Sequence, residues 1–311
     1  RVGEEAVFQT SGNPVQPYYT LPKLMWMRKH DAVVRRHMRH VLSSNGFLVF
    51  RLTGLRSQDE SQAYGWPFYH MEEGGYDAAM AEALDFDLDW LEAPCPSTEV
   101  IGAVTRKAAQ ACGLREGIPV VAGGLDAACG ALGIGVYRPG PVHEQSGSAG
   151  GMSICTDRYQ PVRGLILGRH VVPGRWLVQG GTVGGGASLQ WLCEVMSHDA
   201  IHPLKAVQAG AHAKAVPPGA EGLLFLPYLA GERSPIWDPE AKGVFFGLDY
   251  SKTTGHLARA VMEGVALALR HNLEAARDAG IELGALRAAG GAADSEVWMQ
   301  IKADVTGYPI Q

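Results

Sequence analysis

The sequence repeats one arrangement four times: an apolar stretch that predicts a strand, a glycine-rich turn, and a segment that predicts a helix. The repeats lie at 120–130, 142–151, 177–190 and 286–298. Strands that alternate with helices favour an α/β fold, whose ligands bind beyond the carboxyl ends of the strands. Glycine turns that open onto helices also present backbone N–H groups, which favour anions. One glycine turn has a steric explanation, but four in one region indicate a nucleotide site.

The chain is long enough for two domains, because 311 residues can form two hydrophobic cores. The α/β texture begins near Ile118, so the predicted division is 1–116 and 117–311. Strands are predicted at 118–122, 142–145, 152–155, 176–179, 222–226 and 286–289, and helices at 127–133, 187–196 and 256–279. Before the boundary, the pattern predicts a helix from Leu21 with an apolar stripe that reaches Met38, and a second helix at 77–84.

Composition excludes several classes of partner. The net charge of −5, without a block of lysine or arginine, argues against nucleic acid. No apolar run approaches the length of a membrane span. The cysteines are widely spaced and never form a C-x-x-C pair: Cys95, Cys112, Cys129, Cys155 and Cys193. This pattern predicts buried free thiols and a reducing, cytoplasmic environment.

Standard catalytic and phosphate-binding motifs are absent. The sequence has no G-x-x-x-x-G-K-[ST], and the glycines of 130–135 and 180–186 do not fit G-x-G-x-x-G. A nucleotide would therefore bind without a P-loop lysine. Ser148 and Ser153 lack the G-x-S-x-G elbow of serine hydrolases. His30, His37 and His40 lie among arginines and lysines, which favours a solvated basic face over a metal site.

Asp126 is the strongest single candidate for a catalytic residue. It follows a predicted strand and two glycines, at the start of a predicted helix, where the dipole favours a carboxylate. Two roles are open for this residue: it caps the helix, or it is a general base that accepts a proton from an alcohol. One residue can have both roles. Glu232 and Arg233 are predicted to form a surface ion pair, and Trp237 to turn its ring into the core.

Two long motifs resemble those of a known family. The first is Tyr18-x-Thr20-x-x-Lys23-Leu24-x-Trp26-Met27-x-Lys29-His30; the second is Gly243-x-Phe245-x-Gly247-Leu248, then seven residues, then His256-Leu257-x-x-Ala260-Val261-Met262-Glu263. On these, the chain closely resembles the FGGY carbohydrate kinases over nearly its whole length. The resemblance implies an α/β, actin-like and ribonuclease H-like ATPase fold with two domains around a cleft. It implies that 1–116 is the remainder of a sugar-binding domain and 117–311 an incomplete nucleotide-binding domain.

The resemblance also implies roles for individual residues. Asp126 takes the place of the family's general base, which deprotonates the sugar hydroxyl. Tyr18 takes a position that contacts a polyol in some relatives. The positions of the nucleotide-binding turns fall on Gly147, Ser148, Gly186, Gln190, Gly290, Gly291 and Ser295. No metal-ligating side chain is predicted.

The implied activity is ATP- and Mg²⁺-dependent phosphorylation of a sugar hydroxyl. A ketopentose such as xylulose is the expected substrate, with gluconate or another polyol as the alternative. A catalytically weak sugar or nucleotide sensor on the same fold is an alternative of another class. The family's opening Asp-x-Gly-Thr hairpin is absent, so we expect the central segment of a longer polypeptide. The sequence is silent on assembly, and a homodimer stays open.

Overall fold

The computed structural model describes residues 1–197 and 205–311, which form a mixed α/β structure. The chain divides into two compact units. The first comprises Arg1–Arg138 and Cys155–Val178, and the second comprises Pro139–Ile154 and Gln179–Gln311. This division reflects compactness and does not test the domain boundary expected after residue 116, which stays a prediction.

The first unit is built mainly from short helices. Its helices are α1 (Glu4–Ser11), α2 (Thr20–His30), α3 (Ala32–His37), α4 (Ser44–Thr53), α5 (Ala78–Ala83), α6 (Arg106–Cys112) and α7 (Asp126–Gly133). Its complete strands are β1 (Gln58–Asp59), β2 (Pro94–Cys95), β3 (Val100–Ala103), β4 (Pro119–Val121) and β7 (Ile166–Arg169). β1 pairs in parallel with β2, and β3 pairs antiparallel with β4.

The second unit holds the longer elements. Its strands are β5 (Gly140–Ser146), β9 (Leu224–Leu226), β10 (Val244–Phe246) and β11 (Leu283–Ala289), and it shares β6 (Gly150–Thr156) and β8 (Trp176–Thr182) with the first unit. Its helices are α8 (Gly186–Met196), α9 (Ala206–Lys214), α10 (Thr254–Asp278) and α11 (Glu296–Thr306). Among the described residues, no helix combines the length and apolar character that a membrane crossing needs.

The sheet of the second unit fixes where its strand ends meet. β11 pairs in parallel with β5, β5 pairs antiparallel with β6, and β8 lies beside β6. Because β5 and β11 are parallel and pair continuously from Val142 and Leu286 to Gln145 and Ala289, both carboxyl ends lie at the same edge of the sheet. The core beside the sheet is formed by α10, whose buried Val261 and Val265 belong to one cluster with Leu192, Phe225 and Trp298.

Three of the four predicted strand–turn–helix repeats are confirmed: β4 with α7, β8 with α8, and β11 with α11 after a single 3-10 turn at Gly291–Asp294. In the repeat at 142–151 the helix is wrong, whereas the strands predicted at 142–145 and 152–155 are confirmed. There β5 turns directly into β6, with Ser146 paired to Gly150, and forms a β-hairpin. A glycine-rich turn can lead into a helix or into a second strand. Glycine content alone therefore does not distinguish a strand–turn–helix unit from a β-hairpin.

The apolar stripe predicted after Leu21 is also wrong. Asp31 accepts hydrogen bonds from the amides of Val33 and Val34 at 2.8 and 3.0 Å, and so begins a new helix, α3. Within α2, Leu21 is the one buried residue, and Trp26 stays 64% exposed. The spacing was helical, but a cap in its middle divides the segment into two short helices.

All five cysteines are free, but their burial varies. Cys155 and Cys193 are buried, as predicted, while Cys95 is half-buried and Cys112 and Cys129 are exposed. The prediction of buried thiols therefore holds for two positions.

Candidate active site

Asp126 lies at the first position of α7, directly after β4 and a turn that contains Gly123 and Gly124. Leu125 occupies the N-cap position and makes no side-chain cap. The Oδ1 atom of Asp126 accepts a hydrogen bond from the amide of Ala127 at 2.7 Å, and the side chain is exposed. The carboxylate is thus held at the helix N-terminus by one local hydrogen bond and remains accessible to a ligand.

A cavity of about 1110 Å³ lies within the second unit. It is bounded by three of the junctions that the sequence predicted: the turn after β5, the start of α8, and the turn between β11 and α11. Residues of α9 line another side. The predicted nucleotide-binding residues that line it are Gly147, Ser148, Gly186, Gln190, Gly291 and Ser295.

The turn after β5 packs tightly against the start of α8. The carbonyls of Gly147 and Ser148 accept hydrogen bonds from the amides of Gly186 and Ala187 at 2.9 and 3.0 Å. A Cβ atom at Gly185 would lie 2.5 Å from backbone atoms of the turn. Glycine is therefore required there, because any side chain would push the turn away from the helix.

Ser148 lines the cavity and has hydrogen-bond donors without an acceptor among the described residues. Neither its amide nor its hydroxyl donates a hydrogen bond within the described residues, and Ser148 is exposed. The first amides of α8 are occupied by the turn, so the turn itself supplies the free donors. Successive free amides in a turn form a concavity that suits an anion.

The other predicted nucleotide residues have local partners as well. Gln190 donates to the carboxylate of Glu194 at 2.9 Å on the exposed face of α8. Ser295 is the N-cap of α11 and accepts from the amide of Trp298 at 3.3 Å. Gly290 does not line the cavity; its φ is 119°, and a Cβ atom there would lie 2.6 Å from the carbonyl oxygen of Ser146. Its role in the structure is to bring two backbones together.

Sequence reasoning missed a buried ion pair beneath this turn. Lys302 donates to Glu144 at 2.6 Å and to the hydroxyl of Ser146 at 2.8 Å, and Ser146 also bonds to Glu144. All three residues are buried, and the ammonium lies 5.3 Å from the ring centre of Trp298. Lys302 follows the buried Trp298 by four residues, a spacing that puts a charge on the apolar face of a helix and could have signalled the pair.

The surface ion pair predicted for Glu232 and Arg233 is wrong. Glu232 is 3% exposed, and its Oε1 atom accepts from the amides of Val183 and Arg233, both at 2.7 Å. Burial raises the pKa of the Glu232 carboxyl. The carboxylate fixes the backbone just beyond β8, where the chain leads to α8. Trp237, expected in the core, is half-buried with a φ of 54°.

Tyr18 and the three histidines lie in the first unit, and none of them contributes to the cavity described above. Tyr18 is 47% exposed, and His30, His37 and His40 are all exposed. Within residues 1–197 and 205–311 no group of three potential metal ligands comes together.

Comparison with known proteins identifies the family. The model of the N-terminal domain of the FGGY family of carbohydrate kinases matches residues 1–133, and the model of the C-terminal domain matches residues 146–311. The chain therefore belongs to the FGGY family of carbohydrate kinases. Its fold, expected from the resemblance, is the actin-like ATPase fold of that family.

Individual relatives are sugar kinases. The chain is 32% identical to the xylulose kinase of Escherichia coli (strain K12) over 302 residues, which cover 96% of this chain and 61% of that protein. It is 27% identical to the gluconokinase of Bacillus licheniformis over 313 residues, 96% of this chain and 60% of the relative. The crystal structure of xylulose kinase from Rhodospirillum rubrum superposes with a TM-score of 0.89 at 35% identity, over 100% of this chain and 62% of that chain. The chain thus spans about three fifths of the length of these relatives.

Proposed function

We propose that the protein that carries this chain phosphorylates a sugar hydroxyl with ATP. The observation that carries the proposal is the cavity of the second unit, where three glycine-containing junctions converge. Its family supports the same activity, because the FGGY models cover both parts of the chain. Cytoplasmic location belongs to the proposal as well.

The nucleotide is proposed to bind in this cavity. A volume of about 1110 Å³ is ample, since pockets for small molecules usually measure about 300–1,000 Å³. The free amide and hydroxyl of Ser148 suit phosphate oxygens, and Gly185 leaves the turn close to α8. The residues proposed to hold ATP, directly or by shaping the backbone, are Gly147, Ser148, Gly186, Gln190, Gly290, Gly291 and Ser295.

Mg²⁺ is proposed to arrive with the nucleotide. This ion usually binds one or two carboxylates, water and substrate phosphates rather than a full protein cage. When bound, the ion would neutralise charge on the phosphate oxygens. The glycine turns of the chain are proposed to position the nucleotide.

Asp126 is proposed as the general base. The sugar hydroxyl oxygen attacks the γ-phosphorus, a new O–P bond forms, and the bond to the β,γ-bridging oxygen breaks, so that ADP leaves. The hydroxyl proton passes to the carboxylate of Asp126. Its exposure and its position at the start of α7 support this role, because an accessible carboxylate can accept a hydrogen bond and then a proton from a substrate hydroxyl.

The proposed acceptor is a ketopentose such as xylulose. Two similar proteins, from Escherichia coli and Rhodospirillum rubrum, bear the name xylulose kinase. The gluconokinase of Bacillus licheniformis makes gluconate the second candidate. Tyr18 is proposed to contact the sugar, because its ring is exposed in the first unit.

Replacement of the carboxylate tests the base. We expect Asp126→Asn to lower kcat by about 10²- to 10⁴-fold, the usual contribution of a general base. The Kd for ATP should stay unchanged, because the cavity residues belong to the other unit. Asp89→Asn is the matched control, since Asp89 is an exposed aspartate of the same unit whose side chain makes no ion pair or hydrogen bond with any described residue. Near-normal turnover of Asp126→Asn would remove Asp126 from this role.

Product analysis tests the activity itself. The protein would be incubated with ATP, Mg²⁺ and a set of pentuloses, aldonates and polyols, and ADP and sugar phosphate would be measured. ADP that forms with xylulose but with none of the other sugars supports the proposed substrate. ADP that forms with gluconate supports the second candidate. Ligand binding without turnover would support a sensor and contradict the kinase.

A further inference from the structure

The backbone segment that leads to Asp126 is held by side chains from distant parts of the first unit. The amide of Leu125 donates to the hydroxyl of Ser61 at 2.7 Å, and the carbonyl of Ala122 accepts from the side-chain amide of Asn45 at 3.1 Å. Both ends of the turn 122–125 are therefore fixed by hydrogen bonds to side chains. Leu125 directly precedes Asp126, so any shift of its amide moves the start of α7.

Both of these side chains bond to one buried carboxylate, Asp59. Its Oδ2 atom accepts from Asn45 at 2.7 Å; its Oδ1 atom accepts from the hydroxyl of Ser61 and from the amide of Gln62, the latter at 3.3 Å. The side chain of Gln62 adds a hydrogen bond to Asn45 at 3.3 Å. Asp59 is thus the centre of a network that reaches the turn from two sides.

The burial of Asp59 costs free energy of folding. It is 1% exposed and forms no ion pair with a lysine, arginine or histidine within the described residues. Burial raises the pKa of its carboxyl, which means that the environment opposes the charge. A buried charge without a cationic partner costs stability even when hydrogen-bonded. As the N-cap of the 3-10 helix at Glu60–Gly65, Asp59 uses only one of its two carboxylate oxygen atoms. Capping therefore does not explain the hydrogen bond between Asp59 and Asn45.

The turn has no room to relax away from the network. A Cβ atom at Gly124 would lie 2.3 Å from a methyl carbon of Val171 and 3.1 Å from the hydroxyl oxygen of Ser61. The backbone at Gly124 therefore lies directly against the side chains that hold it. Small displacements of a reacting group are costly: about 1 Å can lower a rate by roughly 100-fold.

We propose that Asp59 is a positioning residue for Asp126, which acts through Ser61 and Asn45 on the turn 122–125. The inference rests on the proposed function, in which Asp126 accepts the proton of the sugar hydroxyl. Asp59 does not contact the substrate; it orients Ser61 so that the hydroxyl accepts from the amide of Leu125, and it orients Asn45 toward the carbonyl of Ala122.

Ser61→Ala is the decisive variant, because it removes the hydroxyl between Asp59 and Leu125 and leaves the carboxylate in place. We expect kcat for the sugar to fall by about 10- to 100-fold, with the KM for ATP within about twofold of wild type. Hydrogen exchange of the amides in 122–130 should accelerate. Asp59→Asn, which keeps the shape of the side chain, should act in the same direction.

Ser97→Ala is the matched control. The hydroxyl of Ser97 is buried, lies 3.2 Å from the position of a Cβ atom at Gly124, and has no hydrogen-bond partner within the described residues. Its carbonyl, which accepts from the amide of Gly123 at 3.0 Å, is kept in alanine. Turnover and exchange should therefore match wild type.

Each outcome has a defined meaning. Faster exchange at 122–130 in Ser61→Ala with an unchanged kcat shows a purely structural network and overturns the positioning role. Unchanged exchange and unchanged kcat overturn the network itself, as does an equal effect of Ser97→Ala. If wild type phosphorylates no sugar, the proposed function fails and the positioning role with it, a result that the wild-type assay alone identifies.

Discussion

At the scale of single residues, His170 shows how burial selects one protonation state. The ring is 4% exposed, its Nδ1 atom accepts from the amide of Val172 at 3.0 Å, and its Nε2 atom lies 3.0 Å from the carbonyl oxygen of Val136. An acceptor at Nδ1 and a carbonyl opposite Nε2 fit a neutral ring whose proton is on Nε2. Burial lowers the pKa of His170 for the same reason.

The stability of the protein should therefore depend on His170 under acidic conditions. Since the pKa in the folded state lies below the ordinary value of 6.5, its contribution is complete above pH 6.5 and is lost as the pH falls through the folded pKa. We expect His170→Asn, whose oxygen can accept from Val172, to lose less unfolding free energy between pH 7.5 and pH 5 than wild type does. Urea titrations at both pH values measure this. His37→Asn, at an exposed position, should match wild type, and an equal acid loss in His170→Asn would contradict the assignment.

At the scale of elements, the buried pair of Lys302 and Glu144 joins α11 to the end of β5. The two residues are 158 positions apart in the sequence, and both side chains are almost fully buried. Their hydrogen bonds to Ser146 reach the residue that directly precedes the turn of Gly147 and Ser148. The pair therefore fixes the strand end from which the free donors of the cavity project.

Removal of one partner should be more harmful than removal of both. Lys302→Met leaves the carboxylate of Glu144 buried without its cation, which costs about 3–5 kcal/mol in unfolding free energy. In the double variant Lys302→Met, Glu144→Met, most of this loss should be recovered, because well-packed apolar residues often replace a buried pair at little cost. Urea unfolding of both variants gives the comparison. Lys107→Met, at an exposed lysine that forms no ion pair in the described part of the chain, is the control; a single variant as stable as wild type would show that the pair contributes nothing.

These elements also show how far the sequence can be used for prediction. Periodicity located α10, because a helical pattern is a local property. Gly147 and Gly291, which the resemblance named, line the cavity, and their role in nucleotide binding stays a prediction. The pairing of Lys302 with Glu144 could not be predicted, because it depends on which face of α11 packs against the sheet.

The errors have the same cause. Glu232 follows a glycine in a polar loop, so a surface position was the natural expectation, but the fold places its carboxylate against the amide of Val183. The network of Asp59 and Ser61 meets Leu125 across 64 positions and carries no motif of its own. Local patterns, such as helical spacing and glycine turns, could be identified from the sequence. Contacts between residues far apart in the sequence could be identified only from the structure.

At the scale of the whole molecule, the candidate functions divide between the two compact units. Asp126, Asp59 and Tyr18 belong to the first, and the residues that line the cavity belong to the second. The family models divide the chain similarly, at 1–133 and 146–311. A ligand of one unit can therefore be distinguished from a ligand of the other by the segment that it protects.

Nucleotide binding should accordingly protect the second unit first. Under the proposed function, ADP at 100 times its Kd stabilises the binding-competent state by about 2.7 kcal/mol. Hydrogen exchange should slow most in 146–148, 186–197, 205–214 and 290–298, the segments whose residues line the cavity. Asp126→Asn should leave this protection intact, because its carboxylate is not part of the cavity. Protection that was absent from these four segments, while ADP still bound, would place the nucleotide elsewhere and contradict the assignment of the glycine turns.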